Sequence, residues 1–130
     1  MRKAILMMLL AVVSSSAAAE WVSLGTTDNG TTVYVDPATI RRSGDMVKIL
    51  SLTDLKTAEA TPRGWRYTSQ KSQEEYDCKE KRWRILSFSQ HSGNMGGGIS
   101  VYVGSNPGNW LPVAPGGKDR LLWERACGKQ

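Results

Sequence analysis

The sequence predicts an α+β fold: an antiparallel β-sheet with a C-terminal α-helix packed on one face and tied by a disulfide. Three observations predict it. Runs rich in β-branched residues succeed one another as far as Val103, separated by Gly, Pro and Asn-Gly signals. A single stretch, Lys118 to Cys127, places Leu122, Trp123, Ala126 and Cys127 on one stripe at 3.6-residue spacing. The chain holds two cysteines, Cys78 and Cys127, one within the strand region and one on that stripe. Strands first and a helix last place the helix on one face of the sheet.

The elements follow in order. Arg2 and Lys3 precede an unbroken apolar run from Ala4 to Val13, and Ala17-Ala18-Ala19 fits the small-x-small rule of signal peptidase. Residues 1–19 therefore read as a cleaved signal peptide, cut before Glu20. The apolar run is too short to cross about 30 Å of hydrocarbon, which takes about 20 residues. No Cys stands at the junction to carry a lipid. What remains, 20–130, is one domain with no transmembrane segment, exported from the cytoplasm.

Trp21 to Leu24 is a short strand, Asp28-Asn29-Gly30 a hairpin turn and Thr31 to Val35 the return strand. Asp36-Pro37 suits the start of a helical turn, with Asp as N-cap, that ends at Ser43-Gly44-Asp45. Met46 to Leu55 carries Val47, Ile49 and Leu55 on one face and Met46, Leu50 and Leu52 on the other. Such a strand is interior and covered on both sides, or else covered by a partner chain, as in a homodimer. Thr61 to Gly64 is a loop, and Arg66 to Cys78 a polar strand without Gly or Pro. Lys79-Glu80-Lys81 links it to a strand from Glu80 to Gln90. His91 to Gly98 is a glycine-rich loop, Ile99 to Val103 a strand, and Gly104 to Gly117 a Pro/Gly-rich wrap. Gly128 stands where a helix C′ residue belongs.

Two cysteines in an exported chain read as one bridge, Cys78–Cys127. A zinc site fits poorly, because the cysteines are far apart and the chain has one His. In the chain-entropy account a bridge closing so long a loop contributes about 4 kcal/mol.

The formal net charge of +5 includes Arg2 and Lys3, so the processed chain keeps an excess of three. A surplus this small does not argue for nucleic acid as a partner, and export argues against it. Nucleophilic catalysis of the Ser-His type needs a histidine, and His91 reads as a solvated loop residue beside Ser92. Gly93 to Gly98 has the glycines of a phosphate loop but lacks its Lys-Ser/Thr, so it reads as a loop needing positive φ. Glu74, Glu75, Asp77 and Glu80 interleave with Lys71, Lys79 and Lys81 and read as a solvated, self-compensating surface. The pattern calls for no catalytic group, no cofactor and no metal. One local charge feature stands out. Lys79, Lys81, Arg82 and Arg84 crowd into six residues beside Cys78. They read as a contact for an anionic or acidic partner. The competing reading is a charged hairpin that keeps strand edges from pairing wrongly. Trp83 alternates with Arg82 and Arg84, so its ring points inward.

Five stretches in order carry a resemblance. They are Val33–Gly44 (VYVDPATIRRSG), Tyr76–Glu80 (YDCKE), Ser92–Gly98 (SGNMGGG), Trp110–Gly116 (WLPVAPG) and Leu122–Lys129 (LWERACGK). Together they resemble the surface-adhesin protein E-like family of Gram-negative bacteria, over nearly all of residues 20–130. The resemblance implies the same sheet, helix and disulfide. It also implies binding of host matrix or plasma proteins at the cell surface. The alternative function is a periplasmic structural or envelope-assembly accessory protein, whose partners are envelope components.

Overall fold

The computed structural model describes residues 19–128. The signal peptide expected over residues 1–19 falls outside the described residues except for Ala19. Among the described residues, no helix is long and apolar enough to cross a membrane.

Among the described residues, eight strands form one antiparallel sheet, and one α-helix packs on it. The strands are β1 (Val22–Thr26), β2 (Thr32–Val35), β3 (Arg41–Ser43), β4 (Met46–Ala60), β5 (Arg66–Asp77), β6 (Arg82–His91), β7 (Ser100–Gly104) and β8 (Leu111–Pro112); the helix is α1 (Gly117–Cys127). Six strands run β1-β2-β4-β5-β6-β7 across the sheet, while β3 pairs with β4 and β8 with β6.

The turn signals act where the sequence places them. Between β1 and β2, Gly30 takes φ 89° and its N–H donates to the Thr27 carbonyl. Asp36 caps a 3-10 turn, Pro37–Thr39, by accepting the Ala38 N–H at 3.1 Å. The helical turn expected to last until Ser43 stops there. Arg41–Ser43 instead extends as β3 and reverses at Gly44, φ 62°, to pair with β4. All three β3 residues are exposed, so no apolar alternation marks them as a strand. β4 also continues past Leu55 to Ala60, through a register shift between Asp54 and Glu59 that bends it.

Register fixes the two faces of the sheet. Directly paired residues share a face, and neighbours along a strand alternate. Val47, Tyr76 and Trp83 lie in one row, and Val33, Val35 and Ile49 share their face. There α1 contributes Leu122, Ala126 and Cys127, which with those six residues form the buried core. The Cys78–Cys127 disulfide closes the core at one corner, with Cα atoms 5.5 Å apart. Leu122 is the helix's fully buried anchor; Trp123 is half-buried and packs at the rim. Gly128 ends the helix with φ 76°, its N–H on the Glu124 carbonyl.

The opposite face has its own cover. The loop after β6 folds back over Leu52, so that Gly96 lies against Leu52 and Lys71. The Ser69 hydroxyl donates to the Gly93 carbonyl at 2.6 Å and accepts the Gly96 N–H at 2.8 Å. The positive φ expected here falls on Met95, Gly96 and Gly98. Leu52, on the β4 face away from the helix, is thus buried within the chain, while Met46 and Leu50 on that face stay partly exposed.

Candidate functional site

The four basic residues singled out in the sequence sit on the hairpin of β5 and β6, beside the disulfide. The turn residue Lys81 has φ 54°, and the Asp77 carboxylate accepts the Lys79 and Glu80 N–H groups at 3.1 Å each. Cys78 lies in the same turn, so the bridge holds its base.

The structure divides the four. Arg82 and Arg84 stand on the sheet face opposite the helix, paired in register with Asp77 and Glu75. Arg82 Nε lies 2.9 Å from Asp77 Oδ2, and Arg84 Nη2 lies 2.9 Å from Glu75 Oε1. Trp110 lies against both guanidinium groups, with its ring centroid 4.5 Å from Arg82 Cζ and 4.6 Å from Arg84 Cζ. β8 follows at once and pairs Leu111 with Trp83 and Pro112 with Arg82. Lys81 turns the other way and sets its ammonium 5.1 Å from the Trp123 ring. Lys79 is exposed at the turn. Trp83 points inward, 6 % exposed, its ring 6.1 Å from that of Tyr76.

The neighbouring carboxylates are not the solvated surface expected of them. Glu74 and Asp77 are each only 2 % exposed, and Glu75 is also buried. Asp77 and Glu75 are compensated across the strand pair by Arg82 and Arg84, not by the lysines beside them in sequence. Burial acts to raise the Asp77 pKa, yet the Glu80 N–H, Arg82 and the Lys79 N–H together hold it below the ordinary value. Glu74 faces the helix. Its Oε1 accepts from Tyr76 Oη at 3.0 Å and Ser51 Oγ at 3.1 Å. Burial pushes its pKa up, against the pull of Lys118 and those two hydroxyls.

His91 also differs from expectation. It is the last residue of β6 and only 8 % exposed, because the folded-back loop covers it. Its Nε2 lies 2.8 Å from Ser89 Oγ. Burial, then repulsion from Lys71, lowers its pKa below the ordinary 6.5. A depressed histidine pKa means the fold resists a proton that the unfolded chain accepts. The contribution of His91 is therefore whole above about pH 6.5 and is lost as pH falls through its folded pKa. Urea midpoints measured from pH 7 down to pH 5 are expected to fall more steeply for the native chain than for His91→Gln. Parallel curves would show that His91 is not buried in its neutral form. The raised Glu74 acts with the opposite sign and is common to both chains.

A concavity of about 800 Å³ lies on the helix side. The β1–β2 hairpin, the outer half of β4 and β5 and the start of α1 enclose it. Its titratable lining is Asp28, Glu59, Tyr67, Lys118 and Arg120, so no histidine or cysteine meets a nucleophile there. Glu59 accepts the Tyr67 hydroxyl hydrogen bond at 3.2 Å. Trp110 is the residue that sequence reasoning missed at the basic hairpin. A lone tryptophan inside a Pro/Gly-rich wrap was the available signal.

The fold is similar to that of protein E from Haemophilus influenzae. One crystal form of that protein superposes with a TM-score of 0.64 at 13% identity, covering 87% of this chain and 91% of that one. The crystal structure of protein E from a non-typeable H. influenzae gives 0.59 at 13% identity, covering 87% and 78%. No curated protein matches the chain by sequence. Residues 21–128 match the sequence model of surface-adhesin protein E, and the chain therefore belongs to the surface-adhesin protein E family.

Proposed function

We propose that this adhesin-like chain is an exported, non-enzymatic binding module that engages an acidic macromolecule through its basic hairpin. The carrying observation is the Arg82–Trp110–Arg84 stack. Each guanidinium is held from behind by a nearly buried carboxylate and flanked by the ring. The Nη atoms of Arg82 and Nη1 of Arg84 have no protein partner among the described residues. The two side chains stay partly exposed, 41 % and 31 %, which leaves these donors for a carboxylate or sulfate. Such pre-organisation lowers the ordering cost of binding. Lys79 and Lys81 extend the positive charge around the turn.

Family membership supports the adhesive reading, in which the partner is a host matrix or plasma protein met at the cell surface. The leader read from residues 1–19 supports export. The test uses the processed chain against an immobilised extracellular-matrix panel and against envelope fractions of the parent cell. Arg82 and Arg84 neutralise buried carboxylates, so the informative substitution is the pair Lys79→Gln and Lys81→Gln, which leaves the fold intact. Affinity is expected to fall several-fold in that pair, and to fall for the native chain as salt rises past the point where charges are screened within about 8 Å. Binding indifferent to both would defeat the proposal. Labelling of intact cells separates a surface module from a periplasmic accessory protein.

A further inference from the structure

Strand β7 ends the sheet, and neither charge nor proline guards that position. Native edge strands are blunted by lysine, proline, an inward charge, a covering segment, shortness or a β-bulge, and β7 has only the last two. Ser100–Gly104 reads Ser-Val-Tyr-Val-Gly, without charge or proline. Its inner side pairs with β6, with one irregularity where Gln90–Tyr102 pairing gives way to His91–Ser100. On its outer side every second N–H and C=O lacks a strand. Ile99 and Val103 are 64 % and 63 % exposed. The opposite edge is different, because α1 lies against β1 and Leu121 touches Gly25.

Beside β7 runs a groove of about 470 Å³, lined by Arg63, Trp65, Ile99, Ser100, Val101 and Tyr102. Trp65 is 57 % exposed there. Arg63 has no carboxylate partner among the described residues.

We propose that this edge and groove take an extended segment of a partner polypeptide as an added strand. Main-chain hydrogen bonds to β7 supply the ladder, and alternate side chains enter the groove. Trp65, Ile99 and Tyr102 select apolar residues, and Arg63 selects an acidic one. A second copy of this chain fits less well. Its own edge, from Ile99 to Gly108, carries no carboxylate to meet Arg63. A five-residue strand pairing with itself also offers little of the roughly 1,200 Å² that a stable interface buries. The surface is separate from the basic hairpin, since β7 pairs with the far end of β6.

The test pans a random peptide library displayed on phage against the oxidised, processed chain. Enriched peptides are expected to alternate apolar residues and to carry an acidic one. Trp65→Ala and Arg63→Glu, both at exposed positions, are each expected to weaken binding about tenfold or more. N-methylation along one edge of the peptide should abolish binding while the other edge tolerates it. Failure to enrich any peptide would overturn the proposal, as would peptides whose binding ignores both substitutions. A concentration-dependent dimer that Trp65→Ala dissolves would also overturn it, by giving the edge to a second copy. Lys79→Gln with Lys81→Gln should leave peptide binding unchanged, so this inference and the basic-hairpin proposal fail separately.

Discussion

Trp83→Ala is expected to lower the free energy of unfolding by about 3–5 kcal/mol, the range for removing a buried aromatic side chain. Trp83 joins three parts of the molecule. It stacks on Tyr76 across the hairpin, with ring planes 16° apart. Lys118 of the helix sets its ammonium 4.6 Å from the ring centroid. Its backbone pairs with Leu111, which carries the Pro/Gly-rich wrap. Truncation leaves a cavity at this junction that neither the disulfide nor the helix can close by a small shift. Urea unfolding monitored by circular dichroism reads the cost directly. A loss below about 1 kcal/mol would mean that the hairpin is not part of the cooperative core.

The second large effect is that of Cys127→Ala, for which we expect a loss of about 2–5 kcal/mol. The bridge spans 49 positions and joins the last residue of α1 to the β5–β6 turn. Both cysteines touch core residues, so the substitution removes a little packing as well as the cross-link. Adding reductant to the native chain isolates the cross-link alone. If reductant leaves the thermal midpoint unmoved, the bridge contributes nothing and packing of Leu122 and Ala126 alone holds the helix.

The fold was legible in the sequence wherever burial follows a period. Val47 and Ile49 marked their strand, Leu122 and Ala126 marked the helix, and Cys78 and Cys127 joined them as expected. β3 and β8 escaped because neither buries a side chain; Arg41–Ser43 is wholly exposed, and Leu111–Pro112 pairs only two residues. The basic hairpin was half legible. Its residues were found, but their burial partners lay across the turn. Asp77 with Arg82, Tyr76 with Trp83 and Glu75 with Arg84 are each equidistant from the turn's centre. Setting that centre between Lys79 and Glu80 would have paired them on paper. Charge counted along the chain sees instead the nearby lysines and infers a solvated surface. His91 misled for a related reason: the loop that buries it follows it in sequence, so its neighbours looked polar and open.

The strand order carries a kinetic consequence. Because most strands lie beside the one that precedes them along the chain, the sheet can zip by short hairpin closures. Contacts of low sequence separation form early, since little loop entropy is lost before each is rewarded. The helix is the exception. It comes last in the chain yet must return to β1, β2 and β4. Its docking is a long-range closure, and the bond between the two thiols ties it down covalently. Val33, Val35 and Ile49 lie in the core that the helix completes, so they are the residues its undocking uncovers. The interval before the bond forms is therefore the period in which this protein is most exposed to aggregation and proteolysis.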